Sequence, residues 1–177
     1  NLSDKELQLI KNSGGVVQVV AFGGYLRPLS QPIQDKLNAL RARFDLPPLP
    51  NLAMALMPGD PIIAAWPEQK FGEYASELYA ILEEEPKASL KDLGDAIDYT
   101  VRKIGIDHVG IASDFNEGGG VKGWNDVSEV RNVTAELLTR GYSEADIAKL
   151  WGGNFLRVWE QVQQSAKPGV PPSEQTP

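Results

Sequence analysis

The chain has 177 residues, of which 42% are hydrophobic and 23% are charged, which is enough apolar sequence for one domain with a buried core. Its net charge of −7 disfavours broad binding to nucleic acid or anionic membranes, and no apolar run approaches the ~20 residues that a membrane span needs. The absence of cysteine excludes disulfides and thiolate metal sites. The single histidine disfavours a self-contained catalytic zinc site, which normally uses several histidines.

A helix-start signal opens the chain. Ser3 followed by Glu6 has the spacing of a capping box, and the residues after it predict a short helix that ends at Gly14. Because the numbering begins at Asn1, with neither an initiator methionine nor a signal-peptide pattern, we expect the chain to be part of a longer polypeptide.

The next element is a nearly continuous β-branched run over residues 16–22, which is typical of a strand covered on both faces. Gly23 and Gly24 end the strand, and Tyr25 follows at its carboxyl end. The sequence leaves two roles open for Tyr25, which either packs over the sheet edge or contacts a substrate.

Residues 26–87 form a long proline-rich excursion between the strands. Two amphipathic helices are predicted within it, with apolar stripes Leu37, Leu40 and Phe44 in the first and Phe71, Tyr74, Ala75, Leu78, Tyr79 and Leu82 in the second. The excursion is expected to lie over the strand-end face, as a lid, as an oligomer contact or as an elaborated loop that only packs.

Ser89 and Asp92 start a further helix, with the apolar stripe Leu90, Leu93, Ala96, Ile97, Val101 and Ile104. Later helices are predicted to begin at Asp126 or Ser128, at Ser143, and at Asn154 as the cap of the last one. Residues 166–177 are too poor in apolar side chains to fold alone and are expected to form a flexible tail.

The stretch most suggestive of chemistry is a second buried strand over residues 108–113 that ends on Asp114. Reactive groups of α/β enzymes lie at the carboxyl ends of parallel strands, so Asp114 is the first functional candidate. His108 would lie about 20 Å away at the other end of the strand, because each strand residue spans about 3.3 Å, and it is expected to be structural.

Other chemistries fit poorly around Asp114. The loop lacks the alternating acidic residues of a calcium-binding EF-hand, and Gly118–Gly120 lacks the spacing of a nucleotide-binding loop, so a flexible turn is predicted there. A Ser-His-Asp set is not available at this strand end, since the only histidine lies elsewhere. The carboxylate of Asp114 is therefore the remaining candidate for a reactive group at this strand end.

The order of elements predicts an α/β fold with two parallel strands joined by long helical crossovers. Two strands do not make a stable parallel sheet, so the remaining strands are expected from sequence outside this chain.

Four separate blocks, residues 106–115, 126–128, 132–143 and 152–158, resemble the C-terminal part of the renal (membrane) dipeptidase family of zinc metallopeptidases. The resemblance implies a (β/α)₈ TIM-type barrel whose last two strands are residues 15–22 and 108–113. Residues 1–165 would form the C-terminal part of this one domain, with 26–87 as a helical insertion.

The resemblance also implies hydrolysis of dipeptides with free amino and carboxyl termini. Two zinc ions, held by residues outside this chain, would activate a bridging water, with Asp114 accepting its proton or holding the substrate ammonium. Tyr25 would line the substrate pocket, together with Asn116, which stands where many relatives have an aspartate.

Further implications concern partners and location. The N-terminal portion of the same protein is the expected partner, a homodimer is a further expectation, and a periplasmic or exported location is favoured. Two alternatives stay open: a non-catalytic barrel that binds a peptide or a maturation intermediate, and an unrelated barrel hydrolase with a similar strand end.

Overall fold

A computed structural model describes residues 1–48 and 61–165, so the predicted tail at 166–177 and the middle of the excursion at 49–60 lie outside the described residues. Helices dominate this part of the chain: α1 (Asp4–Asn12), α2 (Gly23–Leu26), α3 (Gln31–Arg43), α4 (Pro61–Ala64), α5 (Glu68–Glu83), α6 (Leu90–Ile104), α7 (Val130–Thr139), α8 (Glu144–Ala148) and α9 (Asn154–Ser165). The two strands are β1 (Val17–Val20) and β2 (Val109–Ala112). Short 3₁₀ turns and one π-helical segment complete the described elements: Ile106–His108, Phe115–Glu117, Val127–Glu129 and Lys149–Gly153.

The two strands pair in parallel, as the sequence predicted, with Val17 opposite Val109 and Val20 opposite Ala112. The result is an α/β fold that is mostly helical with a small parallel sheet. One expectation for β1 is wrong: the strand is not covered on both faces in the described structure, because Gln18 is exposed. The face that carries Val19 and Val109 packs into the main core.

The main core lies between that face of the sheet and the surrounding helices. Helix α6 contributes the predicted stripe, with Leu93, Ile97 and Ile104 fully buried. The predicted capping box is present at its start, where the Ser89 hydroxyl and backbone N–H both donate to Asp92 at 2.7 and 2.8 Å. Both predictions for α6, its capping box and its buried apolar stripe, are therefore confirmed.

Helices α3 and α5 pack against each other around a second core. Its buried members are Ile33, Leu37, Leu40, Leu46, Tyr74 and Leu78. The predicted stripe on α5 is partly wrong, because Phe71 and Tyr79 are 50% and 61% exposed. Phe71 shares a helix face with Leu78, one heptad further along, but lies in the first turn of α5 and is exposed, whereas Tyr74 and Leu78 are buried in the second core.

Arg140, directly after α7, forms ion pairs that connect α6 with α7. Its guanidinium donates to Asp98 and Asp95 on α6, at 2.6 and 2.9 Å, and to Glu136 on α7 at 2.7 Å. A side chain at Gly94 would overlap this guanidinium, so the glycine makes room for the ion-pair network.

Two of the caps predicted for the later helices are present, and the cap predicted for the last helix is not. Ser143 and Asp146 form the expected capping box of α8, and Asp126 caps the 3₁₀ turn that leads into α7. Asn154, however, is not a cap. It has helical backbone geometry and is buried, and its side-chain amide donates to the carbonyls of Ile106 and Val109 at 2.6 and 2.8 Å. The amide thus satisfies two main-chain oxygens around the start of β2.

Within residues 1–48 and 61–165, none of the helices combines the length and apolar character needed to cross a membrane.

Candidate functional site

The carboxyl ends of β1 and β2 lie side by side. The N–H of Ala21 donates to the carbonyl of Ala112 at 2.8 Å and so extends the ladder by one residue. The N–H of Gly120 then donates to the carbonyl of Ala21 at 2.6 Å, which brings the glycine loop back to the end of β1. The segments that carry the predicted site residues therefore meet at one edge of the sheet.

Asp114 adopts a left-handed backbone conformation, with φ 58° and ψ 32°. This conformation costs a non-glycine residue about 1 kcal/mol and is a frequent feature of functional sites. Its carboxylate is half-buried and has no hydrogen-bond or ion-pair partner among the residues that the structure describes. An unpaired carboxylate at a strained strand end is available to a ligand.

The glycine loop is packed closely onto Asp114. The N–H of Gly119 donates to the Asp114 carbonyl at 2.8 Å, and a Cβ on Gly119 would lie 2.5 Å from that oxygen and closer still to the Ser113 oxygen. Gly118 is also left-handed, with φ 87°. The predicted turn is present, as a hydrogen-bonded turn in which the close backbone approach at position 119 requires glycine.

Tyr25 lies in α2 directly after β1 and is 43% exposed. Its ring packs on Phe22 at a centroid distance of 4.8 Å, and its carbonyl accepts a hydrogen bond from the Asn1 side chain at 2.7 Å. Both roles left open by the sequence thus remain, because one side of the ring packs and the rest is accessible.

Asn116 is exposed in the 3₁₀ turn that follows Asp114. The turn is anchored by its first residue, Phe115, whose ring lies 5.3 Å from Trp124 in an edge-to-face contact. Trp124 in turn contacts Trp151 at 5.7 Å. Phe115, Trp124 and Phe22 were not singled out from the sequence, where their only signal is an aromatic residue near a strand end or a glycine.

His108 lies away from this edge. Its Nδ1 is 2.9 Å from the carbonyl oxygen of Gly15, before the start of β1. Next to it, the hydrogen bond from Lys149 lowers the pKa of Asp107. These contacts agree with the structural role expected for His108.

A metal centre does not fit the described residues. In the ranges 1–48 and 61–165, no three His, Cys, Asp or Glu side chains are grouped so that they could hold a metal ion. Asp114 is therefore not part of a group of three or more such side chains in the described ranges.

Together these features define an α/β protein with a carboxylate site at the carboxyl ends of a parallel sheet, the position where α/β enzymes place catalytic groups. A family model for membrane dipeptidases (peptidase family M19) matches residues 1–170. The chain therefore belongs to the membrane dipeptidase family, a family of zinc metallopeptidases, as the sequence blocks predicted.

Individual proteins similar to this chain are also named as dipeptidases. The crystal structure of the probable dipeptidase PvdM from Pseudomonas aeruginosa is similar with a TM-score of 0.83 and 78% identity, covering 94% of this chain and 42% of that one. Dipeptidase aclJ from Aspergillus oryzae is 41% identical over 90 residues, 50% of this chain and 21% of the relative. Dipeptidase ataJ from Aspergillus terreus is 47% identical over 73 residues, 41% of this chain and 18% of the relative. The matched segments thus span about a fifth of these curated relatives.

Proposed function

We propose that this chain is the C-terminal portion of a zinc-dependent dipeptidase, which hydrolyses the peptide bond of dipeptides with free amino and carboxyl termini. The observation that carries the proposal is the unpaired carboxylate of Asp114, held in a left-handed conformation at the end of β2. The family match over residues 1–170 includes this strand end and the neighbouring Tyr25.

In this proposal β1 and β2 are the last two strands of a (β/α)₈ barrel, and the N-terminal portion of the same protein supplies the other strands. Within the described residues each strand has a single neighbour. Exposed Gln18 and Phe155 line a cleft of about 300 Å³ beside β2. Helix α9 also exposes large apolar side chains that a packed neighbour would cover: Phe155, Leu156, Trp159 and Val162.

The zinc ions belong to the other portion in this account. The described residues do not fit a zinc site, so the two ions would be held by residues outside this chain.

Asp114 would act as the proton carrier. Its carboxylate would accept a proton from the attacking water and pass it to the nitrogen of the cleaved peptide bond, so that the amine leaves neutral. The absence of a competing partner within the described structure leaves its oxygens free for this transfer. The exposed side chains of Tyr25 and Asn116 would contact the dipeptide on either side.

The proposal extends to location and assembly. A periplasmic or exported location and a homodimer are both consistent with membership of the membrane dipeptidase family. The α3–α5 unit has its own core and exposes Phe71 and Tyr79, which makes it the proposed element for a lid or a subunit contact.

The test is Asp114→Asn in the complete polypeptide, with Glu117→Gln as the matched control. Glu117 is an exposed acid in the same turn, so the control removes a charge of the same sign and leaves the proposed proton carrier in place. We expect Asp114→Asn to lower kcat for dipeptide hydrolysis about 100-fold or more and Glu117→Gln to leave it unchanged.

Unchanged hydrolysis in Asp114→Asn would overturn the role of Asp114. The alternative of a non-catalytic barrel that binds a peptide or a maturation intermediate predicts no turnover before any substitution is made. Measurement on the unsubstituted polypeptide therefore separates the two functions.

A further inference from the structure

Phe22 lies between the two predicted site segments. Its ring packs on Tyr25 with a centroid distance of 4.8 Å and a tilt of 45°. On the other side, a methyl group built on Gly118 would be 3.8 Å from Phe22 Cε2, so the ring runs alongside the glycine loop. One half-buried ring therefore borders both segments.

The backbone of Phe22 fixes the start of α2. Its carbonyl accepts hydrogen bonds from the N–H groups of Tyr25 at 2.9 Å and Leu26 at 3.2 Å. Any movement of Phe22 therefore moves the turn of helix that carries Tyr25.

The same residue is coupled to Asp114 through the glycine loop. Phe22 forms a parallel bridge with Gly120, whose N–H binds the carbonyl of Ala21. The preceding residue, Gly119, donates to the carbonyl of Asp114 at 2.8 Å. A continuous set of contacts thus runs from Tyr25 through Phe22 and the loop to Asp114.

We propose that Phe22 is a positioning residue that sets the placement of Tyr25 relative to Asp114. This inference rests on the proposed function. Phe22 itself contacts no reacting atom and acts through Tyr25 and Asp114, the two residues proposed to contact the substrate. Reaction rates depend steeply on such placement, because an error of about 1 Å can lower a rate about 100-fold.

The experiment compares Phe22→Leu and Phe22→Ala in the complete polypeptide, with Leu138→Ala as a control for loss of apolar surface on α7. Leucine keeps much of the volume and removes the flat ring, so it addresses placement even if alanine disturbs folding. We expect kcat/KM to fall about tenfold in Phe22→Leu and about 100-fold in Phe22→Ala. Leu138 is 51% exposed, and its truncation is expected to leave kcat/KM unchanged.

A double-mutant cycle with Tyr25→Ala separates positioning from general stability. If Phe22 acts through Tyr25, Phe22→Leu changes KM in the native background and much less in the Tyr25→Ala background. Equal factors in both backgrounds would overturn the inference, as would unchanged kinetics in Phe22→Leu.

Failure of the inference is distinguishable from failure of the proposed function. Loss of hydrolysis in Asp114→Asn together with unchanged kinetics in both Phe22 variants would overturn the positioning role alone. Unchanged hydrolysis in Asp114→Asn would overturn the proposed function, and the inference with it.

Discussion

Gly119→Ala tests whether the tight turn after β2 is needed for activity. The new Cβ would lie 2.5 Å from the Asp114 carbonyl oxygen, whereas real Cβ atoms essentially never approach another heavy atom within 3.0 Å. The obstructing atoms are backbone oxygens, so no side-chain rotation relieves the clash. Asp114, Ser113 or the loop must therefore shift by about 0.5 to 1 Å, with the Gly119 hydrogen bond weakened.

A shift of that size is expected to lower kcat/KM about 10- to 100-fold, and the clash with the weakened hydrogen bond is expected to lower the free energy of unfolding by about 1 to 3 kcal/mol. The assay is steady-state dipeptide hydrolysis by the complete polypeptide, with unfolding followed in urea.

Gly72→Ala is the matched control for this glycine substitution. Gly72 lies on α5 with open space around it, so alanine there is expected to raise the free energy of unfolding by about 0.5 to 1 kcal/mol, the opposite sign to Gly119→Ala. Native kcat/KM in Gly119→Ala would refute the reasoning about the turn.

Two further predictions concern stability. Asn154→Ala removes both amide hydrogen bonds at the start of β2 and leaves two main-chain carbonyls without that donor, so the free energy of unfolding is expected to fall by about 2 to 4 kcal/mol in a urea titration. Hydrogen bonds from Lys91 and from Arg140 lower the pKa of Asp95, so its stabilising contribution is present above the ordinary carboxyl pKa of about 3.9 and is lost as the pH falls through the lowered value. Asp95→Asn should therefore show a weaker loss of stability on acidification than the native chain, and an unchanged acid profile would contradict this assignment.

Local signals in the sequence predicted much of the fold. Ser89 and Asp92 define a capping box within one turn of helix, and the stripe on α6 is set by helical periodicity alone. The parallel pairing of β1 and β2 follows from the length of the connection between them. The capping box and the stripe are encoded by residues close together in the chain, and the strand pairing is encoded by the length of the segment that joins the strands.

The missed features depend on contacts between distant residues. Asn154 has the residue type of a helix cap, but its backbone is helical and its side-chain N–H groups donate to the carbonyls of Ile106 and Val109. Phe22 borders the site only because the glycine loop returns to the end of β1. Residue type and local spacing do not encode either arrangement.

Dipeptide hydrolysis by separately prepared portions tests the central claim most directly. Turnover is expected when this chain is combined with the N-terminal portion and zinc, and it is expected to disappear when the chain carries Asp114→Asn. Neither portion is expected to hydrolyse dipeptides alone. The described residues of this chain contain no group of three or more His, Cys, Asp or Glu side chains that could hold zinc, and the N-terminal portion lacks Asp114. Zinc-dependent turnover by this chain alone would contradict the account, as would full turnover by the Asp114→Asn mixture.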